Sequence, residues 1–81
     1  MEYSEFAEHV LMGREIEMHY KTYEYFIGSS NKYPNYSCYI ANVETKELQY
    51  FDTRQELLDN ATIEGLPLKE AFKDIVIDYI L

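Results

Sequence analysis

The sequence predicts an α+β fold, a single small domain in which an antiparallel sheet of about five strands carries two or three short helices on one face. Two patterns lead to this prediction. A segment in which apolar and polar residues alternate, typical of a strand with one solvated face, is followed by three further strand-like segments. Helix signals stand before the first of these segments and after the fourth, which gives the order α-β-β-β-β-α-α-β. The length of 81 residues fits one domain, residues 1–81.

The first half of the chain predicts a helix followed by a pair of strands. Residues 4–12 carry apolar side chains at helical spacing, between Ser4, which can cap the start, and a glycine that can close the end. Residues 14–20 alternate strictly between apolar and polar side chains, which predicts a strand with one wet face. A tight connection at residues 21–22 then leads into a second strand at residues 23–27.

Two further strands are predicted after a polar loop. Residues 28–35 have the glycine, serine, asparagine and proline content of a loop. A third strand is predicted at residues 36–41, a turn at residues 42–46 and a fourth strand at residues 47–51.

The last thirty residues predict two helices and a closing strand. Thr53 and Glu56 form a capping box, so the second helix begins at Thr53 or one residue earlier and ends near Asn60. Pro67 is predicted at the first position of a third helix. Residues 75–81 are rich in β-branched side chains, and we expect them to form a paired, mostly buried strand.

The charge of the chain indicates a class of partner. Fifteen acidic residues against seven basic ones give a formal charge of −8, spread from Glu2 to Asp78. A folded surface with this charge repels nucleic acid and anionic membranes, and it attracts proteins with basic grooves. We therefore expect a protein partner with a basic surface, and no direct contact with nucleic acid or membrane.

The candidate contact residues are carboxylates at regular spacing on predicted helices and strands, together with adjacent tyrosines. Glu15 and Glu17 are the first choice, because they share one face of the first strand, and Glu24 on the next strand follows. The full set is Glu5, Glu8, Glu15, Glu17, Tyr20, Tyr23 and Glu24. The tyrosines that strengthen an interface interpretation are Tyr20, Tyr23, Tyr25, Tyr33, Tyr36 and Tyr39. The alternative, that the charge serves only solubility, stays open.

Catalytic and metal-binding patterns are missing from the sequence. The serines lie in no nucleophile-elbow context, and there is no glycine-rich phosphate loop. His9 and His19 lack a metal-ligand spacing, and Cys38 is expected to be a small core residue. We therefore expect no enzyme, metal or cofactor. Without a signal peptide or membrane-length apolar run, we also expect a cytosolic protein, monomeric or weakly dimeric.

Two stretches carry a resemblance to known proteins. Residues 13–20 with Tyr23, and residues 51–65 with residues 68–72, resemble small uncharacterised proteins of Gram-positive bacteria, their phages and mobile elements. The matching positions are structural and carry no catalytic residue. The resemblance implies that the gene belongs to mobile elements of a kind that encode short acidic inhibitors of host defence. Among these inhibitors are anti-CRISPR proteins, some of which occupy the nucleic-acid channel of an RNA-guided nuclease.

Four functions remain open on the sequence. The first is an inhibitor that mimics nucleic acid in a basic channel, and the second is an immunity or antitoxin protein that neutralises a nuclease toxin. The third is an adaptor that adds a strand to a partner through an exposed sheet edge. The fourth is a small enzyme. Salt dependence separates the first two from the third, because charge-driven binding weakens steeply with salt.

Overall fold

A computed structural model describes residues 1–31 and 37–81 of the chain. The helical segments are α1 (Tyr3–Leu11), α2 (Arg54–Asn60), α3 (Leu68–Ala71) and a 3₁₀ turn (Phe72–Asp74). The strands are β1 (Ile16–Tyr20), β2 (Tyr23–Ser29), β3 (Cys38–Asn42), β4 (Leu48–Phe51), β5 (Thr62–Ile63), β6 (Leu66–Pro67) and β7 (Ile75–Ile80). The predicted fold class and element order are confirmed, and the short β5–β6 hairpin is an addition to them.

Five of the strands form one antiparallel sheet in the order β4-β3-β2-β1-β7. The four strands from β1 to β4 form a meander, and the last strand of the chain pairs with the first one. The alternation predicted for the first strand is confirmed, because Ile16, Met18 and Tyr20 are buried. We call the side of the sheet that bears these three residues the covered face.

The core lies between the covered face and the helices. The largest side chains that are fully buried there are Phe6, Ile16, Met18, Ile27, Ile40, Leu57, Ile63 and Leu68. Cys38 is buried among them as predicted, and this burial raises the pKa of its thiol. Each of the three α-helices buries residues in this one core, so in the described residues the helices lie on a single face of the sheet.

The C-terminal end of α1 is stabilised by a local hydrogen-bonding motif and by long-range hydrogen bonds from Arg54, which we call the Arg54 clasp. The N–H of Arg14 donates to the carbonyl of His9 (3.2 Å), and the N–H of Gly13 donates to that of Val10 (3.0 Å). With Gly13 at φ 85°, these bonds form a Schellman motif, so the predicted glycine stop is confirmed. The Arg54 guanidinium donates to the carbonyls of Val10 (3.1 Å) and Arg14 (2.8 Å), which ties α2 to this turn.

The other helix starts give a mixed outcome. Thr53 precedes α2, and its Oγ1 accepts the N–H of Glu56 at 3.0 Å, so the predicted cap is confirmed. Ser4 lies inside α1, because the helix begins at Tyr3 and Glu2 precedes it without a side-chain cap. Pro67 precedes α3 instead of occupying its first turn, since its backbone pairs with Thr62 in the β5–β6 hairpin.

Several predicted strand limits are wrong. The strand β2 continues to Ser29, and β3 includes Asn42, which sequence reading assigned to loop and turn. Residues 32–36, which hold Tyr33 and Tyr36 and the predicted start of the third strand, lie outside the described residues. The last strand is paired but not mostly buried, because it lies at the edge of the sheet, with Val76 62% and Tyr79 54% exposed.

Candidate protein-binding face

The face of the sheet opposite the helices is the candidate site, and we call it the open face. Residues that lie directly opposite one another in an antiparallel sheet project to the same face. Glu17 is opposite Tyr79 on one side and Phe26 on the other, Phe26 is opposite Ala41, and Ala41 is opposite Leu48. These five residues therefore cross all five strands in one row. The row is acidic near β1 and apolar near β4.

The first part of the open face is an acidic half that comprises Glu17, His19, Glu24 and Asp78. His19 lies opposite Glu24 in the β1–β2 register, and its Nε2 is 3.8 Å from Glu24 Oε1. The other ring nitrogen, Nδ1, donates to the carboxylate of Asp78. Both nitrogens of the imidazole thus face carboxylates that belong to neighbouring strands. The side chains of His19, Glu24 and Asp78 remain one-third to one-half exposed, so the group is accessible to a partner.

A β-bulge lets Asp78 and Tyr79 both lie on this face. Tyr79 pairs with Glu17 and Ile77 pairs with Met18, so Asp78 is the extra residue between two regular pairs. In a regular strand successive side chains alternate between the two faces. Asp78 would then lie on the open face, and Tyr79 would lie with Ile77 on the covered face. The bulge instead allows Asp78 to reach His19 while Tyr79 stays opposite Glu17. No local pattern in residues 75–81 signals this extra residue.

The second part is an aromatic half that comprises Phe26, Tyr39, Ala41, Leu48 and Tyr50. The Phe26 and Tyr39 rings are 6.1 Å apart, and so are the Tyr39 and Tyr50 rings. A groove of about 610 Å³ runs along these side chains.

Gly28 allows the two central rings of the aromatic half to approach the backbone. A Cβ atom at this position would lie 2.6 Å from Phe26 Cε2 and 3.0 Å from the hydroxyl oxygen of Tyr39, which is opposite Gly28 in the β2–β3 register. Since such distances are shorter than real Cβ contacts, any side chain at residue 28 would displace one of the rings. The glycine is buried beneath these rings, and its missing side chain lets them pack across the open face.

The predicted contact residues divide between three parts of the molecule. Glu17 and Glu24 lie on the open face, and Glu15 is an exposed residue just before β1 whose carbonyl accepts the N–H of Leu81. Glu5 and Glu8 are exposed on α1, in the helical layer on the other side of the sheet. The sequence pattern therefore did not identify one continuous surface.

The tyrosines are the main correction to the predicted site. Tyr20 is only 4% exposed and belongs to the core, so it is not available to a partner. Tyr23 is 36% exposed but lies opposite Tyr20, on the covered face. Among the described residues, the tyrosines on the open face are Tyr39, which belongs to the predicted interface tyrosines, and Tyr50 and Tyr79, which do not. Strand alternation could have placed Tyr39 and Tyr50, but only the pairing of β7 with β1 places Tyr79.

A second, polar groove of about 310 Å³ lies on the covered side, between β2, β3 and the β5–β6 hairpin. Its side chains already serve the fold. The Tyr25 hydroxyl donates to Glu64 and accepts from Asn42 Nδ2 at 3.3 Å, while Asn42 Oδ1 accepts the N–H groups of Glu44 and Thr45. Burial, followed by the hydrogen bond to Glu64, raises the pKa of Tyr25. This network anchors the hairpin to the sheet and leaves the open face as the stronger candidate.

Comparison of the chain with known protein families, with curated proteins and with solved structures gave no significant match. Within residues 1–31 and 37–81, no three histidine, cysteine or acidic side chains are grouped in a way that could hold a metal ion. No helix in the same residues has the length and apolar character of a membrane span. The functional argument therefore depends on the geometry of the open face.

Proposed function

We propose that this domain is a non-enzymatic acidic inhibitor that binds the basic nucleic-acid-binding site of a partner protein. The observation that carries the proposal is the acidic half of the open face. Three carboxylates, those of Glu17, Glu24 and Asp78, are held there on three adjacent strands, and the helices lie on the other side of the sheet.

The spacing of these carboxylates suits a site built for phosphates. Glu17 and Glu24 are diagonal neighbours across the β1–β2 pair, which places their Cβ atoms about 7–8 Å apart. Arginine and lysine side chains that bind phosphates also bind carboxylates through charge-assisted hydrogen bonds. Because the carboxylates project from paired strands, their backbone loses little freedom on binding.

The contacts of His19 define the geometry of the acidic half. In this domain Nδ1 contacts Asp78 and Nε2 faces Glu24, so the imidazole links two carboxylates of the acidic half. This arrangement is expected of a charged surface whose side chains are held in place.

The identity of the partner is a separate part of the proposal. The resemblance of residues 13–20 and 51–65 to proteins of phages and mobile elements favours an RNA-guided nuclease as the first partner to test. A nuclease toxin, neutralised by the domain as its immunity protein or antitoxin, would present the same basic chemistry to the same face. The gene adjacent to the coding sequence distinguishes these two partners.

A competition assay tests the proposal. The partner is isolated by pull-down from host lysate, and its binding to cognate DNA or RNA is measured with increasing amounts of the domain at two salt concentrations. We expect the domain to displace the nucleic acid, and to do so less well at high salt.

Charge-reversal variants locate the binding surface. Glu17→Lys with Glu24→Lys should weaken binding by about 2–5 kcal/mol, because the lysines would face a basic groove. The matched control, Glu5→Lys with Glu8→Lys, makes the same change in net charge on α1 and should have a much smaller effect. Equal effects of the two pairs would contradict a specific role for the open face. Salt-insensitive binding that leaves nucleic-acid loading unchanged would eliminate mimicry.

A further inference from the structure

The two edges of the sheet differ in how they are protected. Exposed edge strands invite pairing with other chains, and proteins commonly protect them with charged side chains, proline, short length, a β-bulge or a covering segment. The edge strand β4 has four residues, and the side chain of Gln49 exchanges two hydrogen bonds with the backbone of Thr62 (2.8 and 2.9 Å). This edge is short and is flanked by the β5–β6 hairpin.

Within the described residues, the edge strand β7 is protected less: it has one β-bulge, at Asp78, and no strand pairs with its outer side. It has six residues, Ile-Val-Ile-Asp-Tyr-Ile, with no lysine and no proline. Its single charged side chain, Asp78, contacts His19 on the inner neighbour β1. In the described residues β1 is the only strand paired with β7, so the outer backbone groups of β7 have no strand partner there.

The side chains around β7 define what could pair with it. Toward the helices, Ile75, Ile77 and Ile80 pack only partly against the core. Toward the open face, Val76 and Tyr79 are exposed beside the acidic half. A pairing segment would therefore meet apolar side chains on one face, and Val76, Tyr79 and the carboxylate of Asp78 on the other.

We propose that β7 is a docking edge that accepts an extended segment of a partner protein in which basic and apolar residues alternate. The apolar side chains of the added strand cover Ile75, Ile77 and Ile80, and its basic side chains lie beside Asp78, with Glu17 one strand further in. Main-chain hydrogen bonds hold such a strand, and its alternate side chains give specificity. A second copy of this chain is disfavoured as the occupant, because two domains of charge −8 repel each other. The proposal takes from the proposed function only the positive charge of the partner.

The probe is a capped hexapeptide of alternating lysine and valine, titrated into the ¹⁵N-labelled domain and followed by NMR. We expect chemical-shift changes and slower amide exchange within Ile75–Ile80 and not within Leu48–Phe51. A version of the peptide that is N-methylated throughout keeps its charge but cannot donate main-chain hydrogen bonds, and it should bind about tenfold or more weakly. Equal binding of the two peptides, absence of binding, or changes centred on β4 would overturn the proposal.

Two lysine variants provide the matched comparison of the edges. Val76→Lys and Leu48→Lys place the same charge at exposed positions of the same face, one on each edge strand. Val76→Lys should weaken peptide binding by about tenfold, whereas Leu48→Lys should change it by less than about twofold. Equal losses would show that net charge alone determines binding, and would overturn the proposal.

Three further outcomes distinguish this proposal from the proposed function and from dimerisation of the domain. If the N-methylated peptide binds as well as the parent and shifts Glu17 and Glu24, strand addition fails while the charged-face proposal stands. If the domain does not displace nucleic acid in the competition assay but the peptide pairs with β7, strand addition stands while the charged-face proposal fails. A dimer of the unliganded domain in sedimentation equilibrium, abolished by Val76→Lys, would assign the edge to a second copy and overturn the proposal.

Discussion

Ile27 and Phe26 are neighbours in β2, yet they belong to two very different surfaces. Ile27 is fully buried between the covered face and the helices, whereas Phe26 is partly exposed and contacts Tyr39 on the open face. The same contrast runs along β1, where Met18 is buried between Glu17 and His19. One side of the sheet therefore stabilises the domain, and the other side can carry charge without exposing the core.

Polar groups on the two faces also differ in function. On the covered side, Asn42, Tyr25 and Glu64 hydrogen-bond to one another and hold the β5–β6 hairpin. On the open face, His19 and Asp78 form a contact that stays accessible to solvent. The comparison predicts that substitutions on the covered side change stability, whereas those on the open face change binding.

The largest effect should separate the two neighbours in β2. Ile27→Ala should lower the free energy of unfolding by about 2–5 kcal/mol, because it leaves a cavity in the core. Phe26→Ala should cost about 1 kcal/mol, because its ring is only partly buried. Urea denaturation of the two variants measures the difference. Equal losses in the free energy of unfolding would contradict the distinction between the covered face and the open face.

The next effect concerns the clasp between the helices. Arg54→Ala should lower the free energy of unfolding by about 2 kcal/mol, because hydrogen bonds from a charged donor to carbonyls of the α1 terminus are lost. Arg14→Ala removes the same charge from an exposed side chain and serves as the control. If thermal and chemical denaturation show equal losses for the two variants, net charge and not the clasp is responsible.

Alkaline pH should weaken the covered side through Tyr25. Burial raises the pKa of this phenol in the folded state, whereas the pKa of an unfolded tyrosine is about 10. The folded state then holds the proton more tightly, so stability is complete below that pH and falls above it, by up to about 1.4 kcal/mol per pH unit. Tyr25→Phe should flatten this part of the denaturation profile, with Tyr23→Phe as the control for loss of an exposed phenol. An unchanged slope in Tyr25→Phe would argue against the mechanism.

A smaller effect is expected at the start of α2. Thr53→Ala should lower the free energy of unfolding by about 1 kcal/mol, because the N–H of Glu56 loses its acceptor. Thr53→Ser retains a hydroxyl oxygen and should stay close to the wild-type value. A serine variant as unstable as the alanine variant would indicate that packing of the threonine methyl group matters more than the cap.

The smallest effect on stability is expected on the open face. Glu17→Gln should change the free energy of unfolding by less than about 0.5 kcal/mol, because the side chain is exposed and the domain carries excess negative charge. Thermal denaturation at low salt measures this change. A loss of more than about 1 kcal/mol would show that the open face contributes to the stability of the fold.

The candidate site was predictable only in part. Alternation in β1 was enough to place Glu17 on a solvated face, and the adjacent strand supplied Glu24. Asp78 and Tyr79 could not be assigned to the same surface, because their position depends on the pairing of β7 with β1, some sixty residues earlier in the chain, and on a bulge. Tyr20 was assigned to a partner surface from its residue type, although its place in the alternation already put it with Ile16 and Met18.

The sequence by itself determined the features that depend on near neighbours: strand alternation, the Thr53 cap, the glycine stop of α1 and the order of the elements. These features follow from local backbone geometry and from the period at which side chains change faces. The tertiary structure alone decided the edge position of β7, the Arg54 clasp and the division of the charges between two sides of the molecule. Such features depend on contacts between residues far apart in the chain, which form only when the core brings them together, so no local pattern records them.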